Sequence, residues 1–500
     1  MTRKKKLFLN TGAAIMNQLI TLICGFILPR LIISHYGSAT NGLLSSITQF
    51  LAFFAMMEMG VGAVVRASLY KPLAEKDQDA ISRVLISSRR FFRKIGLMLC
   101  VYTAILMIYF PLAVDHSNGY IATAVLVGAV AFSSLSTYLF GIVYQQLLNA
   151  DQKSYVQLSI SALTTVLNTM FGVILINLNA SIEIVKLLAA IVILLRPLLL
   201  KLYVDHHYKL NFKLELTEEP IKQKWNGLAQ HIATYILQHA DVVILTLMST
   251  LENVSIYSVY HLVTNGLKQL IEITTTGMAA LLGNMYAKSE SKELARTFDS
   301  FETIIHTLTT LIYNVAGVMI IPFVTIYTKN VADINYIVPA FSTLIIVANA
   351  SFCIRIPYYT MIQAAGHFKE TQNSAIIEAA LNVAISMALV SNFGLVGVAV
   401  GTLVAMLYRT IYLAWYLKTS ILYRSFGVFL KHLLIDVLST AMIVCVANMI
   451  HVNADTWFSW LLWSVTISLI SALICFGLRS VVFPSFIKDS LQLLIKRSNK

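Results

Sequence analysis

The sequence predicts an all-α polytopic membrane protein with about fourteen transmembrane helices, on three observations. Of its 500 residues, 57% are hydrophobic and 12% charged, about half the charge that a soluble chain needs to cover its surface. The mean hydropathy of +0.74 is too high for a disordered chain. Apolar runs of roughly 20 residues, the length that crosses a hydrocarbon core about 30 Å thick, recur from end to end. Nine prolines and 22 glycines are too few for a collagen-like or low-complexity chain. In this setting the net charge of +13 is a topology signal before it is a sign of any anionic partner, and no nucleic acid is expected.

The spans are placed at about 8–34, 42–66, 95–114, 119–149, 155–178, 182–203, 226–249, 254–287, 299–327, 334–364, 371–391, 395–418, 428–451 and 457–482. The first follows Arg3-Lys4-Lys5-Lys6 and runs to about Ile33, too long for the apolar region of a signal peptide. An even count puts both termini on one side, and the lysines make that side cytoplasmic. Cytoplasmic segments and adjoining helix ends hold 29 of the 37 Lys and Arg and 14 of the 24 acids, whereas outer segments are acidic and short, as at Asp115 to Asn118. Residues 67–94, with Ile81, Val84, Leu85, Phe91 and Phe92 among arginines, read as a cytoplasmic amphipathic segment along the inner leaflet. Residues 204–225 read as a cytoplasmic linker and 483–500 as a cytoplasmic tail. The five cysteines lie in apolar runs at no metal-ligand spacing, and no disulfide is expected.

The two halves, 1–203 and 226–418, resemble each other at an offset of 214 to 216 residues. Tyr144 to Asn168 (YQQLLNADQKSYVQLSISALTTVLN) aligns with Tyr359 to Asn382 (YTMIQAAGHFKETQNSAIIEAALN), each a helix, a short basic turn and a helix. Two six-helix lobes follow, parallel repeats with a binding site expected in the cleft between them, and the helices of 428–482 stand outside the repeat.

Function then rests on polar residues at membrane depth. The eighth span carries Ser258, His261, Asn265, Lys268, Glu272 and Thr276 at helical spacing, the seventh Gln230, Thr234, Gln238 and Asp241, and the eleventh Ser374, Glu378, Asn382 and Ser386. The second carries Glu58 and Arg66 on one stripe. One central charge facing lipid costs roughly 2.5–3.5 kcal/mol, so these stripes face protein or water, either as helix–helix hydrogen bonds or as a hydrated cavity. Arg30 and Arg66 lie near span ends, where snorkelling explains them as well as function does. Arg196, Lys268, Arg355 and Arg409 are deeper, and Arg355 shares a stripe with Tyr359 and Gln363. Lys268 and Glu272 form an i,i+4 pair that either neutralises itself or serves substrate. Asp241 and Glu58 are candidate proton or sodium sites or counter-ions to the arginines, with the counter-ion reading preferred. Asp436, with His432 four residues earlier, reads as a structural pair, and the histidines, His306 among them, as packing residues. No catalytic or phosphate-binding motif is present, so transport is favoured over catalysis.

Phe26 to Asp77 resembles the start of the polysaccharide-unit flippases of the Wzx type. The matching features are Pro29-Arg30, Tyr36-Gly37, Asn41-Gly42-Leu43, Glu58 with Gly60, and Leu69 to Pro72, with Ala150-Asp151-Gln152-Lys153 further on. The resemblance implies the fold of the multidrug/oligosaccharidyl-lipid/polysaccharide (MOP) exporters, MATE-like, in a bacterial plasma membrane. It implies a substrate of undecaprenyl-pyrophosphate-linked oligosaccharide moved from inner to outer leaflet for surface polysaccharide, with a polymerase and other export proteins as partners. No cofactor is expected beyond a coupling Na+ or H+. The pyrophosphate would take Arg30, Arg355 and Arg409, then Lys268 and Arg196, since guanidinium binds phosphate oxygens bidentately. The cavity carboxylates would be Glu58, Asp241, Glu272 and Glu378, and the polar lining Gln230, Gln238, Asn265, Asn382, Tyr359 and Gln363. A lipid II flippase, a cation-coupled multidrug exporter of the same fold and a non-transporting scaffold of a polysaccharide-synthesis complex are the alternatives.

Overall fold

The structure, a computed structural model, describes residues 3–114, 119–215, 228–275, 277–450 and 454–483; the side chains of 3, 4, 7, 55–60 and 228–234 lie outside that description. The outer loop at Asp115 to Asn118, residues 216–225 of the linker and 484–500 of the tail therefore lie outside the described residues, as does Thr276.

The described chain is helical throughout. α1 (Arg3–Tyr36), α2 (Ser38–Glu75) and α3 (Gln78–Ala113) are followed by α4 (Tyr120–Ser136), which passes through a π turn at Thr137–Gly141 into α5 (Ile142–Ala150). Next come α6 (Ser154–Asn177), α7 (Ile182–His207), α8 (Leu228–Met248) and α9 (Leu251–Thr274), the last broken from α10 (Met278–Ala287). α11 (Ser291–Tyr327) precedes α12 (Pro339–Ile354) and α13 (Ile356–Ala364). α14 (Phe368–Ser420) is two helices meeting at Gly394, whose φ of 51° and ψ of −128° leave the helical region in a conformation only glycine adopts readily. α15 (Gly427–Ile450) and α16 (Trp457–Val482) close the chain. Ten helices among the described residues are long and apolar enough to cross a membrane, and α14 supplies two of the predicted spans. α2, α8 and the broken α9–α10 occupy the remaining three, so the pattern follows the fourteen spans segment by segment.

Residues 67–94 do not form a separate surface helix. α2 and α3 run straight through the segment and reverse at Lys76 and Asp77, where the Asp77 carboxylate accepts from Ala80 N and caps α3. Its apolar positions Ile81, Val84, Leu85 and Phe92 are buried in protein, so the expectation that they face the leaflet does not hold.

The chain divides into two compact units, Met1–Tyr235 with Thr250–Ser255, and Ile236–Ser249 with Ile256–Lys500. In the first, α1 packs on α6, α4 on α3 and α7, and α2 on α3 and α5, around Leu43, Ile47, Leu85, Leu99 and Phe110. Three of the residues that carry the family resemblance sit at its joints. Asn41 Nδ2 donates to Ser255 Oγ at 2.8 Å, and a side chain on Gly42 would overlap the Leu251 carbonyl. Tyr36 Oη donates to the Ala180 carbonyl at 2.6 Å. In the second unit, α12 packs on α14 and α11, and α11 also meets α15 and α16.

The repeat is written in the backbone. Left-handed φ recurs at Lys76 and Ser289, at Gln152 and Gly366, and at Asn179 and Gly394, each pair within a residue of the 214-residue offset. Left-handed turns are uncommon outside glycine, so three coincidences at one spacing mark the halves as copies. Each of the turns at Gln152 and Gly366 is also held by a tyrosine hydroxyl. Asp151 accepts from Tyr208 Oη at 2.5 Å and from the ammonium groups of Lys153 at 2.8 Å and Lys6 at 3.1 Å, while His367 Nδ1 meets Tyr416 Oη at 2.9 Å.

Burial alone would push the Asp151 carboxyl up, but the hydrogen bonds from Lys153, Tyr208 and Lys6 outweigh it and hold the group below its ordinary value. Its contribution to stability is therefore present above the unfolded value of about 3.9 and is lost as the pH falls through the lower folded value. Asp151→Asn is expected to lower stability by about 1–2 kcal/mol at pH 7. The gap to the wild type should close on acidification below about pH 4. Thermal unfolding of both proteins in detergent across pH checks this, and a gap independent of pH would refute it.

Candidate functional site

The second unit concentrates its buried polar groups on α14. Ser374, Glu378, Asn382 and Ser386 recur every four residues and all are at most 1% exposed, so one stripe of the first helix of α14 faces inward. The chain reverses at Gly394 and brings Thr402 and Arg409 of the second helix back against that stripe.

Glu378 lies between two arginines. Its Oε2 accepts from Arg409 Nη1 at 2.7 Å, and its Oε1 accepts from Arg355 Nη1. Both arginines are nearly as buried as the carboxylate. Arg355 stands at the break between α12 and α13 because Pro357 has no N–H to continue the ladder. Its guanidinium lies 4.2 Å from the centre of the Phe352 ring, and Lys268 Nζ lies 4.4 Å from that same centre. Tyr359 has the Arg409 guanidinium 5.6 Å from its ring, and Arg409 Nε is buried without a partner. Two cations thus hold one carboxylate and Lys268 adjoins them through the Phe352 ring, with aromatic faces sharing the excess positive charge.

One helical turn along the stripe, about 6 Å, is a second group of a different kind. Asp241 of α8 is 2% exposed and accepts from Thr402 Oγ1 at 2.6 Å, Tyr257 Oη at 2.9 Å and Asn382 Nδ2 at 3.0 Å. All three donors are neutral, so the preferred reading of Asp241 as an arginine's counter-ion does not hold. Asn382 Oδ1 is buried without a partner, and the Val398 carbonyl adjoins through Ser386 and Thr402. Such a set of hard oxygens around an unneutralised carboxylate fits a small monovalent cation.

The other predicted residues are placed as follows. Gln238 is exposed, and Asn265 and Gln363 are half-buried. Glu272 is exposed and makes no ion pair within 4 Å of Lys268 among the described residues, but its charge still acts favourably on that ammonium. Arg30 is half-buried beside Pro29 on α1. Arg196 donates to Thr164 Oγ1 at 2.5 Å and Thr165 Oγ1 at 3.0 Å, and Arg66 to Gln146 at 2.7 Å. Glu58 and Gln230 fall on α2 and α8, but their side chains lie outside the described residues. Sequence reasoning missed Phe352, Tyr257 and Thr402. Thr402 lies in a run of small apolar residues and gives no signal, whereas Tyr257 lies one step before the stripe that includes Ser258.

No protein-family model matches the sequence, and no curated protein matches it. Solved structures do. A lipid II flippase, MurJ, in an inward closed conformation superposes with a TM-score of 0.67 over 96% of this chain and 100% of its own, at 15% identity. An inward-facing multidrug resistance MATE family transporter of the MOP superfamily gives 0.56 over 80% of this chain and 96% of its own, also at 15% identity. The chain therefore has the MurJ/MATE-like fold of a multi-pass membrane protein, and the proteins it resembles are a flippase and a transporter.

Proposed function

We propose that the chain flips an undecaprenyl-pyrophosphate-linked oligosaccharide from the inner to the outer leaflet of a bacterial plasma membrane, as a Wzx-type flippase. The observation that carries this reading is the surplus of cations around Glu378. Arg355, Arg409 and Lys268 outnumber Glu378 and Glu272, the carboxylates that act on them, and guanidinium is the group best matched to pyrophosphate oxygens. A pyrophosphate arriving here replaces Glu378 as the partner of Arg355 and Arg409, while sugar hydroxyls find the amides and hydroxyls of the polar stripes. Clustered cations repel a cationic drug, which argues against multidrug export. Asp241 with Asn382 and Thr402 takes the coupling ion, which we assign as Na+, one turn from the anion site. Rocking of the two six-helix halves alternates access, both termini are cytoplasmic, and a polymerase receives the product.

The greater likeness to a lipid II flippase favours a second reading, in which the pyrophosphate-linked saccharide is lipid II.

Proteoliposomes given fluorescent undecaprenyl-pyrophosphate oligosaccharide, lipid II or a cationic dye separate these outcomes. The oligosaccharide is expected to cross, and Arg409→Gln, which leaves Arg355 on Glu378, is expected to slow it about ten-fold. Transfer of lipid II alone selects the second reading, and dye movement without either prenyl substrate overturns both.

A further inference from the structure

Away from Glu378, the second unit buries another set of titratable groups, where α15 and α16 meet α11 and α13. Four of them form a chain. Asp436 Oδ2 of α15 lies 2.6 Å from His306 Nδ1 of α11, and His306 Nε2 lies 3.1 Å from Tyr358 Oη of α13. Tyr358 Oη donates to Glu302 Oε1 of α11 at 2.6 Å. His306, Tyr358 and Glu302 are fully buried, and Asp436 is 6% exposed.

Counting hydrogens decides what the chain holds. Its two ends are carboxylates, which only accept when ionised. The three links between them need three hydrogens. A tyrosine hydroxyl and a neutral imidazole bring one each, which leaves one link as two lone pairs pressed together at hydrogen-bond distance. Buried polar atoms rarely remain in that state.

The surrounding charges point the same way. Asp436 also accepts from Arg479 and from Thr310 Oγ1 at 2.7 Å. Glu302 also accepts from Arg424, which reaches Asp299 at 2.7 Å. His432 Nδ1 faces Arg479 Nη1 at 3.2 Å, so His432 accepts there and carries its own hydrogen on Nε2, 3.7 Å from Glu302 Oε2. The His432 ring stacks on Phe483, which Lys431 covers at 4.8 Å, and Cys475 lies close to Arg479 on α16. Two arginines thus face three carboxylates, Asp299, Glu302 and Asp436, and the Glu302 Oε2 atom is buried without a hydrogen-bond donor.

We infer that the Asp436–His306–Tyr358–Glu302 chain is a proton-binding site that holds one hydrogen beyond its neutral complement, and that this hydrogen fastens the α15–α16 pair to α11 and α13. The proton resides on His306, whose two N–H groups then donate to Asp436 and to Tyr358. A concerted shift of two hydrogens moves it to Glu302 with no rearrangement of heavy atoms. This site is distinct from the Asp241 group, and it stands whichever substrate is carried.

The test uses the full chain in lipid nanodiscs with 15N-labelled histidine, and the His306 signals are identified by their loss in His306→Gln. At pH 7.5 free histidine is about nine-tenths neutral, yet His306 is expected to show two protonated ring nitrogens. A neutral His306 together with a protonated-carboxyl infrared band that Glu302→Gln removes also supports the site, since the same proton has moved along the chain. A neutral His306 with no such band overturns the proposal. Asp436→Asn keeps Oδ1 as the acceptor for Arg479 and Thr310 and supplies an amide hydrogen to His306 Nδ1, which completes the chain unaided, so its His306 is expected to be neutral and protonated on Nε2 alone. An imidazolium persisting in that variant is the second result that overturns the proposal. If His306→Gln does not fold, the signals are identified by the shift that Tyr358→Phe causes.

Discussion

Replacing Glu378 with alanine is expected to destabilise the protein by about 3–5 kcal/mol, because breaking a buried ion pair leaves its partner uncompensated. Here it leaves two such partners, Arg355 and Arg409, which are 5% and 6% exposed, with Lys268 over the neighbouring ring. Glu378→Gln keeps the shape and one acceptor and should lose less. The discriminating measurement is a double-mutant cycle in detergent unfolding. Adding Arg409→Met to Glu378→Ala removes one stranded charge, so the double variant should be more stable than Glu378→Ala alone. Strictly additive losses would mean that the arginines do not depend on this carboxylate.

Asp241→Asn should abolish the response to sodium while leaving the fold intact. Asparagine preserves the size of the group and still accepts from Thr402 and Tyr257, but it removes the charge that would hold a cation. A cation bound only to the folded state stabilises it by about 2.7 kcal/mol at a concentration one hundred times its dissociation constant. The wild type is therefore expected to melt at rising temperature as Na+ replaces choline, and Asp241→Asn to melt at a constant one. Substrate transfer by the variant should fall more than ten-fold. Equal sodium responses in the two proteins would remove Asp241 from ion coupling.

Hydropathy and charge bias made the spans legible because the bilayer imposes one length on every crossing helix. The breaks inside them, at Gly277, Arg355 and the π turn of Thr137–Gly141, were not, since apolar composition does not register a change of helical path. Glu378, Arg355 and Arg409 were each visible as charges at depth. Their union was not, because it depends on the rotation of two helices about the Gly394 reversal, which sequence spacing does not specify. Asp436 and His432 were read as a pair from their four-residue spacing, yet each prefers Arg479 of another helix, and Asp436 also takes His306. Of the flippase-like motifs of the first unit, Asn41, Gly42 and Tyr36 proved to be joints that contact a hydroxyl or backbone carbonyl groups.

The Glu378–Arg409 pair belongs to a single helical hairpin, and this bears on how the protein is made. Arg355 leaves the ribosome first and must enter the bilayer alone, against an insertion penalty of roughly 2.5–3.5 kcal/mol for a central charge. Glu378 emerges 23 residues later, and its hairpin arrives with an arginine already opposite the carboxylate. A hairpin that carries its own counter-charge can leave the translocon as a unit and admit Arg355 laterally afterwards. The order of synthesis and the geometry of the triad are then two aspects of one arrangement.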